Sequence, residues 1–457
     1  MCGIAGFISC SDRLGDPSRL IETMLDCIQH RGPDDWGSWS SSDHRITLGH
    51  RRLSILDTSD SGRQPFASPS GRYHLTFNGE IYNFKEIRDE LGNVELSSTG
   101  DTAVVAAAFD RWGIMSAIQR FNGMFAIGVW DQDENRLTLA RDRIGKKPVY
   151  YGNKNGVFAF ASELKPFRLI DGFCDDICPS ALEEVLKYGY VAAPRSIFRS
   201  VQKLTAGDAL HVDLKNGEIK TSTETYWRPH QSLPSEIPDN ADDYLEHIEE
   251  ILTDAVKIRM ISDVPLGAFL SGGIDSSLVC ALMAKVSSEP IKTFSIGFHE
   301  SGFDEAQYAK KIANHLETDH HELYFSGAKA LELVDRLPTI YDEPFADSSQ
   351  LPTYLVSQFA RQHVTVALSG DGGDELFSGY SRFGKVLSGW NRKQGFAGKL
   401  TTQMLNLSNA IAPGMTANLA SKAHGRKLGP LAQKKVFLRE LERRNATEFT
   451  HYYQLNN

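Results

Sequence analysis

The chain changes rhythm part-way along, and that change limits its architecture more than any other feature. Up to about residue 210, short β-like runs dominate. Ile4–Ile8, Ile46–Leu48, Tyr73–Phe77, Phe125–Trp130, Leu137–Ala140 and Val157–Ala161 are each bounded by Gly, Asn, Asp or Pro. Helical patterns fall between them at Pro17–His30, Phe84–Glu90 and Asp101–Trp112. Strand-rich sequence flanking a few helices predicts an α+β layered domain of stacked antiparallel sheets with helices outside. From Lys215 to Asp242 the chain turns polar, with Asn216-Gly217 and then Pro229, Pro234 and Pro238, a composition that builds no core of its own. Helical periodicity resumes over Asp242–Met260, with Tyr244, Ile248, Ile251, Leu252, Ala255 and Ile258 as its apolar stripe and Arg259 at the rim.

Beyond that helix the rhythm is α/β. Apolar strands at Gly267–Leu270, Ile291–Ile296, His321–Phe325 and Val364–Leu368 alternate with helices at Ser276–Val286, Glu305–Leu316, Ala330–Ile340 and Leu351–Arg361. Such alternation predicts an α/β domain around a parallel sheet covered on both faces. The expected division is a first domain over 2–210, a linker over 211–241 and a second domain over 242–457.

With 457 residues the chain exceeds one ordinary core. Its net charge of −9 gives no basic field for nucleic acid or an anionic membrane, and no basic patch with interleaved aromatics stands out. No apolar run approaches a spanning length, and Met1 is followed by Cys2, Gly3 and Ile4 rather than by a basic-then-apolar leader. A cytoplasmic protein, with no membrane insertion, is expected. Six scattered cysteines fit a reducing compartment, and the local pair Cys174 and Cys178 lacks a second pair or nearby histidine for a metal.

Two features carry chemistry. Removal of Met1 gives Cys2 a free α-amine, with an ordinary pKa of about 7.7–8.0, within reach of its own sulfur. One residue then supplies nucleophile and base. By itself, Cys2 equally suits a small buried position near a strand start. The second feature is Ser271-Gly272-Gly273-Ile274-Asp275-Ser276-Ser277, which follows a strand and opens a helix. Backbone N–H groups at such a turn seat phosphate oxygens, the serines add hydroxyls, and Asp275 suits a divalent cation. A second loop, Ser369-Gly370-Asp371-Gly372-Gly373-Asp374-Glu375, also follows a strand. Two such loops at the carboxyl ends of parallel strands face one crevice in this architecture.

Cys2-Gly3-Ile4-Ala5-Gly6-Phe7, His30-Arg31-Gly32-Pro33-Asp34, His50-Arg51-Arg52-Leu53-Ser54-Ile55 and Asn78-Gly79-Glu80-Ile81-Tyr82-Asn83 occur in that order. Together they resemble the N-terminal-nucleophile glutamine amidotransferase domain that is joined to asparagine synthetases. The resemblance implies that Cys2 attacks the glutamine side-chain amide, with Asn78 and Gly79 forming an oxyanion hole. It implies Arg52 on the substrate α-carboxylate, and Glu80 and Asp101 on the α-ammonium. Members commonly carry Glu two residues after that aspartate, where this chain has Ala103. His30, Arg31 and Asp34 are expected to be structural. The charged run Arg141–Pro148 also matches a family segment and is expected on a solvated or interdomain face.

The later loops resemble the pyrophosphatase loop and its companion in the same family. That implies ATP bound by Ser271, Gly272, Gly273, Asp275, Ser276, Ser369 and Gly370, with Ile296 and Gly297 lining the adenine and ribose pocket. It implies Mg2+ on Asp275 and Asp374, and Asp371 positioning the acceptor or ammonia. Tyr341-Asp342-Glu343-Pro344-Phe345-Ala346-Asp347 is a further family block, read as an acidic turn closing the crevice. The implied reaction converts glutamine, aspartate and ATP to glutamate, asparagine, AMP and pyrophosphate, and a homodimer is a family-based expectation.

Members ordinarily continue past the last residue here, through a helical block with a catalytic lysine. Lys434 and Lys435 precede that block, so a fragment or a naturally short member is expected. Tyr190–Phe198 resembles relatives associated with surface polysaccharides. Two alternatives therefore stay open: another acceptor carboxylate, such as a sugar acid, or a glutaminase-only or regulatory protein.

Overall fold

The computed structural model describes residues 1–10, 14–215, 217–231, 240–299 and 305–394. Pro234, Pro238 and the tail from 395, with Lys434 and Lys435, lie outside the described residues. The chain divides into two compact units, Met1–Ser369 and Gly370–Asn457.

Twelve strands open the first unit: β1 (Gly3–Ser9), β2 (Asp35–Ser40), β3 (Ile46–Arg52), β4 (Phe66–Ala67), β5 (Tyr73–Ile81), β6 (Gly123–Asp131), β7 (Arg136–Arg141), β8 (Tyr150–Lys154), β9 (Val157–Ala161), β10 (Gln202–Lys203), β11 (Asp208–Lys215) and β12 (Glu218–Thr225). They form two antiparallel six-stranded sheets, β10-β8-β9-β1-β3-β2 and β12-β11-β7-β6-β5-β4. Alternation along each strand fixes the layering. Ile4 and Ile8 of β1 turn between the sheets toward Ile46, Leu48, Ala126 and Phe160, whereas Ala5 and Phe7 turn outward to Ile21, Met24 and Leu25 of α1 (Pro17–Asp26). On the far side, Leu75 and Phe77 of β5 pack with Val104, Val105, Ala108 and Phe109 of α3 (Asp101–Trp112), beside α2 (Phe84–Leu91) and α4 (Ile114–Arg120). The result is helix, sheet, sheet, helix. Phe160, fully buried between the sheets, is a residue whose truncation to Ala costs about 3–5 kcal/mol.

α5 (Pro179–Tyr188) precedes the last hairpin of this sandwich, and α6 (Ala241–Arg259) leads to a parallel sheet. That sheet holds β13 (Leu266–Phe269), β14 (Lys292–Phe298), β15 (Asp319–Phe325) and β16 (Val366–Leu368) in the order β15-β14-β13-β16. Crossover segments contain α7 (Ile274–Val286), α8 (Ala306–His315), α9 (Gly327–Leu331), α10 (Leu337–Ile340) and α11 (Gln350–Ala360). The expected fold class, antiparallel layers followed by a parallel α/β sheet, is the one observed. In the second unit the described helices are α12 (Gly373–Phe377) and α13 (Ser381–Gln394).

Four readings need correction. Residues 211–225, taken as linker, continue the second sheet as part of the β11–β12 hairpin, because Leu210 and Val212 join the inter-sheet core. On α6 the buried residue is Val256, while Tyr244 and Ile251 face solvent. The helix expected over Ala330–Ile340 breaks into α9, a 3-10 turn at Val334–Arg336 and α10, which Pro338 opens. The Arg141–Pro148 run is not uniformly solvated: Asp142 and Lys147 are buried and Arg141 is half-buried, while Ile144 and Lys146 stay exposed. Arg141 donates to the carbonyls of Lys147 (2.8 Å), Leu204 (2.6 Å) and Gly145 (2.7 Å), and the wholly buried Asp142 accepts the N–H groups of Phe125, Ile144, Lys146 and Lys147. Backbone groups meet these charges, which is what permits their burial.

The acidic block also does something other than close a crevice. Asp342 accepts from the Leu164 N–H and pairs with Lys165 at 2.5 Å; Glu343 accepts the Ile197 N–H at 2.7 Å and pairs with Lys203 at 2.5 Å. It clasps the parallel-sheet part to the antiparallel sandwich.

Candidate active site

The amino-terminal strand and the loops after β3 and β5 converge on one cavity. Its lining includes Cys2, Arg52, Leu53, Ile55, Leu56, Gly62, Gln64, Phe77, Gly79 and Asp101. Cys2 Sγ accepts the Leu53 N–H at 3.4 Å and lies 3.6 Å from the Leu53 carbonyl, and burial pushes its thiol pKa up. With Met1 attached, the α-amino group belongs to Met1, and burial lowers it to about 5. Arg31 Nε donates to the Cys2 carbonyl at 3.0 Å and its Nη1 to Glu163 at 2.9 Å, so Arg31 fixes the backbone of the nucleophile candidate. Asp34 accepts the Ser54 N–H at 2.9 Å, and His30 meets Glu163 at 2.8 Å. These three residues serve the structure, as expected.

Arg52 is buried, and its guanidinium is held by carbonyls of the following loop. Nη1 donates to Ser59 at 2.7 Å; Nη2 donates to Leu56 at 3.4 Å and to Asp57. A Cβ at Gly62 would stand 2.0 Å from Nη2, so any side chain there has to displace the guanidinium. The loop turns on Asp57, a non-glycine residue at φ 49°. Burial alone would raise the Asp57 carboxyl, yet hydrogen bonds from Ser59, Ser98, Ser61 and the Thr99 N–H hold it well below the usual range. Nothing in the sequence pattern singled out Asp57 or Ser98. Gln64, also overlooked, accepts the Phe77 N–H at 2.7 Å and donates to Thr102 at 3.3 Å, tying β5 to the start of α3.

Asn78 and Glu80 stand on β5 either side of Gly79, which itself lines the cavity. Asn78 Nδ2 is buried and has no hydrogen-bond partner. An orphan buried donor is left available to a further acceptor, although Asn78, unlike Gly79, does not line the cavity. Asp101, in the first turn of α3, accepts the Ile81 N–H at 2.9 Å. Burial raises both carboxyls, and the Asp101 charge raises Glu80 further. Buried Lys147, from the misassigned run, has its pKa lowered to about 8 by desolvation and senses Arg31, Cys2 and Glu80.

A second cleft, of about 670 Å3, opens at the carboxyl ends of β13 and β14, where open parallel sheets take ligands. Phe269, Leu270, Ser271, Phe294, Ser295, Ile296, Phe298 and Ser349 contribute to its walls. Gly272 is left-handed, at φ +82°, and a Cβ there would lie 2.7–2.8 Å from Tyr308 and the Ala309 nitrogen of α8. Gly273 begins α7 without a side-chain cap, and Asp275 lies in the first turn. Ser276 and Ser277 donate to the Gly273 carbonyl at 3.2 and 2.7 Å, so their hydroxyls hold the loop's own shape. Ile296 faces the cleft and buried Gly297 does not line it.

Among the described residues no group of three or more His, Cys, Asp or Glu side chains is assembled for a metal. Asp275 nevertheless fits Mg2+, which takes one or two carboxylates together with substrate phosphates. Ser369 ends the first unit. Gly370, Asp371 and Asp374 belong to the second, where Asp374 stands in the first turn of α12 and its carbonyl accepts the Gly379 N–H at 3.0 Å. No described helix is long and apolar enough to cross a membrane.

Residues 1–227 match the glutamine amidotransferase domain family, and residues 247–457 match the asparagine synthase family. A Methanocaldococcus jannaschii protein provisionally named asparagine synthetase (glutamine-hydrolyzing) 2 is 39% identical over 83% of this chain and 76% of its own length. Asparagine synthetase (glutamine-hydrolyzing) 1 of Bacillus subtilis is 34% identical over 85% of this chain, which spans only 60% of that relative. A solved glutamine phosphoribosylpyrophosphate amidotransferase from B. subtilis is 14% identical, with a TM-score of 0.38 over 71% of this chain and 81% of that one. The chain belongs to the glutamine-hydrolysing asparagine synthetase family.

Proposed function

We propose that the chain makes asparagine from aspartate, using ammonia cut from glutamine and energy from ATP. The observation that carries this reading is the Cys2 cavity. A thiol, a buried arginine, the Asp101 carboxylate and an orphan amide donor on the neighbouring strand position match the groups of one glutamine molecule.

Once Met1 is removed, the Cys2 amine takes the thiol proton as Sγ bonds to the side-chain carbonyl carbon of glutamine. Asn78 Nδ2 and the Gly79 N–H receive the developing oxyanion. The proton passes to the departing nitrogen, ammonia leaves, and water cleaves the thioester to glutamate. Arg52 holds the α-carboxylate as a fork, and Glu80 with Asp101 hold the α-ammonium. Two mutually repelling carboxyls gain a cation they lack when the pocket is empty.

In the parallel-sheet part, Ser271, Gly272, Gly273, Ser276 and Ser369 bind the ATP phosphates, a role that Gly370 at the start of the second unit shares by its family motif. Ile296 flanks adenine and ribose, with Gly297 behind it in the strand. An aspartate side-chain oxygen bonds to the α-phosphorus as pyrophosphate leaves, and ammonia displaces AMP from the acyl carbon, with Asp371 positioning the reactants. Asp275 and Asp374 would hold Mg2+, which offsets charge on the departing pyrophosphate. A cytoplasmic location, a division into two domains and a homodimer belong to the same reading.

Amide-nitrogen-labelled glutamine, aspartate, ATP and Mg2+ incubated with purified protein test it. Labelled asparagine with matching AMP is expected. Labelled ammonia without either product would confine the chain to glutamine hydrolysis.

A further inference from the structure

A residue outside the cavity holds the cavity's arginine in place. Asp263 lies in the connection between α6 and β13, three positions before Leu266. Its N–H donates to the Ile55 carbonyl at 3.1 Å, and its Oδ2 accepts the Asp57 N–H at 2.8 Å. These two bonds bracket Leu56. Ile55 and Leu56 line the Cys2 cavity, and the carbonyls of Leu56, Asp57 and Ser59 hold the Arg52 guanidinium. A few residues upstream, Arg259 closes α6 with its guanidinium 4.4 Å from the ring centre of Tyr82, two positions after Glu80. The chain thus touches the loop that lines the cavity, and Tyr82 just past β5, before entering β13, the strand that precedes Ser271.

Asp57 is where such support matters. A left-handed backbone at a non-glycine residue is strained and persists only where the surroundings over-determine it. Its carboxylate is anchored within the sandwich by Ser59, Ser61, Ser98 and Thr99, whereas its N–H is anchored from outside by Asp263. Without that acceptor the turn is free to relax, and the carbonyls gripping Arg52 relax with it.

We propose that Asp263 is a positioning residue for the glutamine site: it clamps the Ile55–Asp57 turn and thereby sets Arg52 toward the substrate carboxylate. The proposal rests on the glutamine-site reading above. Arg52 meets a non-reacting end of glutamine, so loosening it weakens substrate binding more than the chemical step. Asn at 263 retains an oxygen acceptor for the Asp57 N–H; Ala retains none.

Steady-state glutamine hydrolysis by the full chain and its Asp263→Ala, Asp263→Asn and Asp263→Glu variants tests this. Losing one hydrogen bond to a charged acceptor predicts a rise of about fivefold in KM for Asp263→Ala, with kcat within about twofold. Asp263→Asn is expected within about twofold of the parent KM, and Asp263→Glu between the two. If Asp263→Ala does not fold, the Glu and Asn variants carry the test. An unchanged KM in Ala or Glu overturns the proposal, as does a fall in kcat alone or an Asn variant no better than Ala. A parent chain that hydrolyses no glutamine, or hydrolysis that survives Cys2→Ala, overturns the site reading instead.

Discussion

The two clefts are built on opposite plans. Around Cys2 the cavity and its supports are rich in hydrogen-bonded polar groups: a buried arginine held by three carbonyls, Asp57 behind it gathering five donors, and the carboxyls of Asp101 and nearby Glu80 raised by burial. The cleft on the parallel sheet is wide and lined mainly by apolar side chains, and its uncapped helix start offers backbone N–H groups. Side chains specify the first site; topology specifies the second. Point changes are therefore expected to be severe and local in the first, whereas in the second only Asp275, the carboxylate proposed to hold a cation, is expected to carry comparable weight.

The largest effect separates the two outright. Cys2→Ala removes the nucleophile and is expected to lower glutamine-dependent amidation at least ~1000-fold while leaving ammonium-dependent amidation intact, read by product formation with each nitrogen source. Equal loss with both sources would join what this account divides. Asp275→Ala is the mirror test. ATP-dependent AMP release should fall about 100-fold or more with glutamine hydrolysis retained, and intact AMP release would move the cation elsewhere.

Gly62→Ala sharpens the contrast by touching no reacting atom. The added methyl displaces Arg52 Nη2, and a rise of about tenfold in KM for glutamine is expected. An unchanged KM would show that Arg52 does not hold substrate.

The smallest effect concerns pH. Glu80 and Asp101 lie above the ordinary carboxylate range because burial favours the protonated forms, with the Asp101 charge raising Glu80 further, and an ammonium favours the ionised ones. Binding glutamine should therefore release protons, and affinity should fall as pH drops through the raised values, before ordinary carboxylates near about 4 titrate. Calorimetry on Cys2→Ala in buffers of different ionisation enthalpy reads both quantities. Affinity flat from about pH 8 to about pH 5 would contradict the pairing.

Legibility in the sequence followed the same divide. β1, β5, β6 and β9 announce themselves through Val, Ile and Phe at strand spacing, and the Ser271 loop through its place between strand and helix. β12 did not, since Glu218–Thr225 is a solvent-facing edge strand whose polarity reads as linker. Charge was a partial guide at Arg141–Pro148, because sequence does not reveal that the run folds back so that its own backbone groups, with the Leu204 carbonyl and the Phe125 N–H, meet Arg141 and Asp142. Cys2, Arg52, Gly79 and Asp101 were found through their motifs. Asp57, Gln64 and Asp263 meet the site's surroundings across the fold, where neither period nor motif points, and Lys147 lay in a matching segment whose charge suggested another place.

The account stands or falls on Cys2 lying in a glutamine pocket. Treatment with a diazoketone analogue of glutamine, followed by intact-mass and peptide analysis, tests that most directly. One adduct on Cys2 at a chain start lacking Met1, prevented by excess glutamine, is the predicted result. No adduct, or one on Cys10, Cys27 or another thiol with Cys2 untouched, would contradict it.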